Sequence, residues 1–130
     1  LEILEKMATI DKRIRIISRD DRGPADALNI AFRAARGTLI GWLNADDISP
    51  PGAFARAVTA LATNPEWLMV YGEGEEFNEK SGLVQRYPTL PPSSGIEGFR
   101  SHCFICQPTV LFHRSMGLLL GPFDESPSLR

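Results

Sequence analysis

The sequence predicts an α/β fold built on a mostly parallel sheet, and three observations carry that prediction. From Arg13 to Tyr71, short strand-like runs alternate with segments of helical periodicity in the order strand, helix, strand, helix, strand. The connections are short and punctuated by Gly, Pro and Asn, as expected when helices cover the faces of a parallel sheet. One run, Thr38 to Leu43, delivers Asn44, Asp46 and Asp47 to the point where the strand must stop. In such sheets ligands bind beyond the carboxyl ends of the strands.

Each element has its own local reason. Leu1, Leu4 and Met7 fall on one face at helical spacing, so residues 1–8 read as the body of a helix. Residues 13–18, RIRIIS, alternate charge with isoleucine, which predicts a strand with one buried face. Gly23-Pro24 opens a helix, because proline is tolerated where the first-turn N–H has no partner. Leu28, Ala31, Phe32 and Ala35 supply its apolar stripe, and Gly37 stops it. After Asp46-Asp47 a second helix starts near Pro50-Pro51 with Phe54, Val58 and Leu61 on its inner face, and Asn64-Pro65 closes it. Residues 67–71, WLMVY, form a continuous apolar run that predicts a strand covered on both faces.

The second half differs in kind. Residues 73–78 and 83–87 flank Glu79-Lys80-Ser81-Gly82, which predicts a hairpin. Pro88, Pro91 and Pro92 forbid helix or central strand and make an irregular loop. Residues 108–113, PTVLFH, read as a strand, Arg114 to Leu120 as a short helix and residues 121–125 as a turn.

Composition limits the function. With 130 residues and 43% hydrophobic content the chain is expected to be one domain, 1–130, with a real core. Fourteen basic against 16 acidic residues give no bulk attraction to nucleic acid or an anionic membrane, so any anion must be held locally. No apolar run approaches the ~18 to 20 residues of a membrane-spanning helix. Cys103 and Cys106 form a C-x-x-C pair without the second pair a structural zinc site needs. They are expected to be buried, reduced thiols, which fits a reducing compartment.

Two adjacent carboxylates at a strand terminus either stay solvated or share a cation. Asp26, in the first turn of its helix, suits the positive end of the helix dipole. Asn29, one turn on, could bond a ligand or bridge to a neighbouring loop.

Taken in order, the segments 21–29 (DRGPADALN), 35–47 (ARGTLIGWLNADD), Tyr71-Gly72 and 121–125 (GPFDE) resemble the family 2 glycosyltransferases of GT-A fold. The resemblance runs over nearly the whole chain. It implies a Rossmann-like sandwich, truncated here at both ends, and transfer of a hexosyl-type sugar with inversion from a nucleotide-activated donor to an acceptor hydroxyl. The acceptor would be a saccharide or a lipid-linked saccharide, in building a bacterial cell-surface polysaccharide. A hard divalent cation, Mn²⁺ or Mg²⁺, would assist by balancing the charge of the leaving diphosphate.

Asn44-Ala45-Asp46-Asp47 stands where the family carries its D-x-D type motif, with Asn in the first position. By the resemblance Asp46 and Asp47 contact the metal and the ribose or diphosphate of the donor, which of the two carboxylates binds the metal directly being left open, and Asn44 joins Asp46 on the donor-binding side with a supporting hydrogen bond. Arg22, Asp26 and Asn29 lie on the donor side. Arg22 is suited to phosphate by its planar fork, or is a surface charge paired with Asp20 or Asp21. Glu73 and Gln107 correspond to the acceptor side, solvent exposure being the other reading of Glu73.

The family's first strand and acidic loop, which hold the nucleotide base, would precede Leu1, and its general base would follow Arg130. Asp124 and Glu125 belong to the turn before that base. The expected entity is thus a catalytic fragment, inactive alone, cytoplasmic or at the inner membrane face, prone to self-association through an exposed sheet edge. The rival readings are a non-catalytic domain of the same fold, used for binding or assembly, and another nucleotide-dependent transferase with a similar acidic strand end.

Overall fold

A computed structural model describes residues 1–100 and 102–126. The chain divides into two compact units, one formed by Leu1–Arg36 with the stretch from Gly121 onward, the other by Gly37–Leu120.

In the first unit, helix α1 (Glu2–Ile10) and helix α2 (Pro24–Ala34) stand where helical periodicity predicts them. Gly23 caps α2 at φ 128°, ψ 179°, a conformation open essentially to glycine alone. Pro24 follows in the first turn, as predicted. The helix ends at Ala34, with Ala35 already extended, so it stops before Gly37 is reached. Its predicted apolar stripe is not its most buried face: Ala31 is exposed and Leu28 and Phe32 are half-buried, whereas Asp26 and Asn29 are buried. Residues 13–18 are not a strand. Arg13 belongs to a turn and residues 14–18 to irregular chain, with Ile16 and Ile17 exposed, and no described strand of this unit runs beside them to share a ladder. A side-chain contact holds the run instead, Arg15 Nη1 donating to the Ala34 carbonyl at 2.7 Å.

The second unit contains the sheet. Strands β1 (Leu39–Ile40), β2 (Met69–Val70) and β5 (Leu111–His113) form one sheet in the order β1-β5-β2, and β3 (Glu75–Phe77) and β4 (Val84–Arg86) form a hairpin. Both pairings of the three-stranded sheet are antiparallel, with Ile40 opposite Phe112 and Val70 opposite Leu111. The mostly parallel sheet expected from the strand–helix alternation is therefore corrected. The physical reason is the position of β5. β1 and β2, each antiparallel to β5, run the same way as a β1–α3–β2 crossover requires, but the late strand lies between them and takes both ladders.

Helix α3 (Ala53–Thr63) packs on β2 and β5, and helix α4 (Arg114–Leu120) on β5. Among the described residues of this unit, Leu61, Leu111, Phe112 and Cys106 are the buried apolar side chains. Of the predicted α3 stripe, Leu61 is inside while Phe54 and Val58 are about half exposed. The 67–71 run is not covered on both faces, since Trp67 and Leu68 are exposed and Met69 and Val70 half-buried. The hairpin forms as predicted: the Asn78 side chain accepts from the N–H groups of Lys80 and Ser81, both at 3.0 Å, and Gly82 takes φ 67°. Among the described residues no helix is long and apolar enough to cross a membrane.

Candidate active site

In the first unit the residues assigned to the donor side form a closed network. Asp26 accepts from the Arg22 backbone N–H at 3.0 Å and from its guanidinium at 3.2 and 3.3 Å. Arg22 Nη2 also meets Glu125 Oε2 at 2.5 Å. The partners of Arg22, which stands just before the helix cap, are thus Asp26 in the first turn of α2 and Glu125, rather than Asp20 or Asp21. Asp21 instead accepts from the Gly23 N–H at 2.9 Å and shapes the helix entry. Asn29 donates to the Phe123 carbonyl at 3.0 Å and to Glu125 Oε1 at 2.8 Å, and accepts from the Phe123 N–H at 2.8 Å. Both amide hydrogens and the carbonyl oxygen are used within the chain, so Asn29 bridges α2 to the segment after Gly121.

The Arg22 guanidinium, and next its backbone N–H, hold the Asp26 carboxyl below the usual carboxylate range. A folded-state value below the unfolded one contributes stability above the unfolded value, near pH 4, and that contribution is lost as pH falls through the folded value. The same applies to Asp11, held at about 2 chiefly by Arg13. The melting temperature is therefore expected to fall below about pH 4, and Asp26→Asn is expected to flatten that fall without abolishing it. A melting series from pH 2 to 7 on both proteins checks this; superimposable slopes would refute the role of Asp26.

In the second unit, the run expected to be a strand from Thr38 to Leu43 is a strand only at Leu39–Ile40, and after three irregular residues, residues 44–47 form a tight turn closed by the Asp47 N–H donating to the Asn44 carbonyl at 3.2 Å. Asn44 Nδ2 donates to Asp47 Oδ2 at 2.9 Å and to Gln107 Oε1 at 3.1 Å, and Gln107 Nε2 donates to the Trp42 carbonyl at 2.8 Å. Asp46 is exposed, and no hydrogen bond to its side chain occurs among the described residues. Asn44, Asp47, Glu73 and Gln107 line one open cleft of about 910 Å³, with Arg86 and Cys106 on its walls. Residues from three distant stretches of sequence are thereby brought together. Asp46 is outside this lining.

Arg86 is the cleft residue that sequence reasoning missed. It pairs with Glu73 and stands opposite Glu75 in the hairpin register, a position that the hairpin pattern would have disclosed had the strand pairing been counted out. The two cysteines divide: Cys106 is buried as expected, but Cys103 is exposed. Burial pushes the Cys106 thiol up, and the nearby carboxylates of Asp47 and Glu76 add to this, so it stays protonated.

The donor set suits a hard cation. Asp46 and Asp47 offer carboxylate oxygens, and Asp47 Oδ1 has no hydrogen-bond partner among the described residues. No group of three His, Cys, Asp or Glu side chains there could enclose a metal ion among the described residues. A cation at this turn would take its remaining ligands from water or phosphate, the usual arrangement for Mg²⁺-type ions with one or two carboxylates.

The chain is 36% identical over 70 residues to the O-antigen biosynthesis protein RfbC of Myxococcus xanthus, covering 53% of this chain and 6% of that protein. It is 42% identical over 63 residues to the uncharacterized glycosyltransferase EpsJ of Bacillus subtilis, covering 48% and 18%. It is 27% identical over 128 residues to a chondroitin synthase of Escherichia coli, covering 98% and 18%. The chain thus spans less than a fifth of the length of each of these relatives. The sequence profile described as glycosyl transferase family 2 matches residues 1–116, and with that match over most of its length the chain belongs to this family.

Proposed function

We propose that the protein moves a hexosyl-type sugar from a nucleotide-activated donor to the hydroxyl of a saccharide or lipid-linked saccharide, in assembling a polysaccharide. The observation that carries this reading is the 44–47 turn. It sets two adjacent carboxylates in the loop after β1, with Asp47 on a cleft that also holds Glu73 and Gln107. The names of the relatives, an O-antigen biosynthesis protein and a chondroitin synthase, support a polysaccharide product.

In the proposed reaction the acceptor oxygen bonds to the anomeric carbon as the carbon–oxygen bond to the diphosphate breaks, and the configuration inverts. The acceptor proton passes to a general base. A bound Mn²⁺ or Mg²⁺ would supply charge neutralisation for the departing nucleoside diphosphate. Asp46 and Asp47 would hold it, with Asn44 fixing the orientation of Asp47. Arg86, already paired with Glu73, gives the acceptor side a cation and an anion able to bond sugar hydroxyls.

The test uses the full-length protein and a panel of nucleotide sugars, titrated with and without Mn²⁺. Asp46→Ala and Asp47→Ala are each expected to lower Mn²⁺-dependent affinity for the bound donor by roughly 100-fold, the effect of losing a ligand being at least that of losing a group that supports one. Undiminished binding in both variants would overturn the assignment.

A further inference from the structure

The geometry points to Gln107 as a positioning residue that acts through Asn44 to set the orientation of the Asp47 carboxylate, rather than as a group that touches the acceptor. This rests on the reading of Asp46 and Asp47 as the cation-binding pair.

The argument begins with what each group can do in a hydrogen bond. The Trp42 carbonyl only accepts, so the Gln107 amide must turn its nitrogen toward it, as observed at 2.8 Å. That orientation leaves Gln107 Oε1 to face Asn44, which must then present its own nitrogen, as observed at 3.1 Å. The Asn44 nitrogen has two hydrogens, and the second goes to Asp47 Oδ2 at 2.9 Å. One main-chain carbonyl thus fixes the direction of every bond in the series. The series ends by engaging one oxygen of Asp47 and leaving Oδ1 without a partner among the described residues.

The anchor of this series is itself fixed. Gln107 opens a short three-ten turn, residues 107–109, in which the Thr109 N–H donates to the Cys106 carbonyl at 3.0 Å and the Thr109 hydroxyl lies 2.7 Å from the same oxygen. The Thr109 hydroxyl oxygen also accepts from the Gly72 N–H, just beyond β2, at 2.9 Å. Gln107 is therefore held at both ends, by the turn that carries it and by the Trp42 carbonyl. With its amide engaged at nitrogen and oxygen, it is suited to orienting a neighbour.

The relay also accounts for asparagine at position 44. An aspartate there would set a carboxylate against both Asp47 and Gln107 Oε1, and Gln107 could relieve this only by turning away from Trp42. Removing a group that orients a metal ligand costs roughly 10- to 100-fold in metal affinity.

The test measures Mn²⁺ binding to the full-length protein, without donor, from the electron paramagnetic resonance signal of the free ion. Gln107→Met keeps the length of the side chain but has no amide. It is expected to weaken Mn²⁺ binding roughly 10- to 100-fold, as is Asn44→Ala. The double variant is expected to be no weaker than Asn44→Ala alone, because both changes break the same series. Melting curves of each variant establish that the folded form is being titrated.

If Asp47→Ala binds Mn²⁺ as the unaltered protein does, the cation reading fails and takes the relay with it. If Asp47→Ala abolishes binding but Gln107→Met leaves it unchanged, the cation reading stands and the relay is overturned. The relay is equally overturned if the losses of the two single variants multiply in the double variant, which is what independent structural roles produce.

Discussion

Asn29→Ala is expected to destabilise the folded protein by about 3 kcal/mol and to lower its melting temperature by roughly 10 °C. Asn29 is 2% exposed and makes three hydrogen bonds, all to Phe123 and Glu125. Truncation removes the Asn29 bonds to the Phe123 N–H and carbonyl, and takes away a group that, with Arg22, holds the Glu125 carboxylate. A typical net hydrogen bond is worth about 0.5 to 1.5 kcal/mol, so losing three comes to about 3 kcal/mol. Because all three bonds go to one short segment, the loss has a local signature as well. The Phe123 amide, protected from hydrogen exchange while Asn29 accepts from it, is expected to exchange readily in the variant. Asn29→Asp is expected to be as damaging, since it keeps the acceptor but replaces both donors with an anion facing Glu125. Unchanged protection of the Phe123 amide in Asn29→Ala would show that the segment is held by something else.

The second large effect is expected at Gly74. A β-carbon built there would fall far inside van der Waals contact with Cys106 Sγ. Cys106 is buried, so the sulfur has little room to retreat. Gly74→Ala is expected to cost about 1 to 3 kcal/mol through overpacking. Cys106→Ala removes the sulfur that the new methyl would strike, so the double variant is expected to recover most of that loss. Denaturant midpoints for the two single variants and the double variant give the coupling directly. Simple additivity would mean that the strain at Gly74 comes from the backbone and not from the sulfur.

Much of the local structure was legible in the sequence, and the reason is punctuation. Gly23-Pro24, Asn64-Pro65 and Asn78 with Gly82 act on the few residues around them, so α2, the end of α3 and the hairpin could be placed without knowing the rest of the molecule. Sheet order was not legible, because nothing local to Leu111–His113 says that this strand enters between two earlier ones. The 13–18 run shows the same limit: alternation describes a chain able to join a sheet, while a strand also requires a neighbour. Helical stripes failed in a related way. The spacing identified an apolar face on α2, but Asp26 and Asn29 are its buried groups because hydrogen-bond partners reach them from Arg22 and from residues 123–125.

At the site, the residue types were legible and their partners were not. Asn44, Asp47, Glu73 and Gln107 could each be singled out, and the structure sets them on one cleft. The Arg22–Asp26 pair is four residues apart, but Arg22 precedes the helix, so the helical spacing rule did not disclose it. Nor was Glu125 legible, since the distance along the chain gives no hint that it closes on Arg22 and Asn29.

The central position of β5 also governs when the sheet can form. Among the described residues β1 and β2 have no ladder to each other, and each pairs with residues 111–113 alone. During synthesis both strands emerge with their hydrogen-bonding groups open, and they stay so until residues 71–110 and then β5 have followed. Closing such distant contacts makes assembly slow, and in the interval unpaired strand edges are exposed to wrong partners. The hairpin and α3, whose contacts are local, can form early and wait. Nascent chains halted before Leu111 should therefore be the ones that chaperones retain, and those extended past His113 should be released.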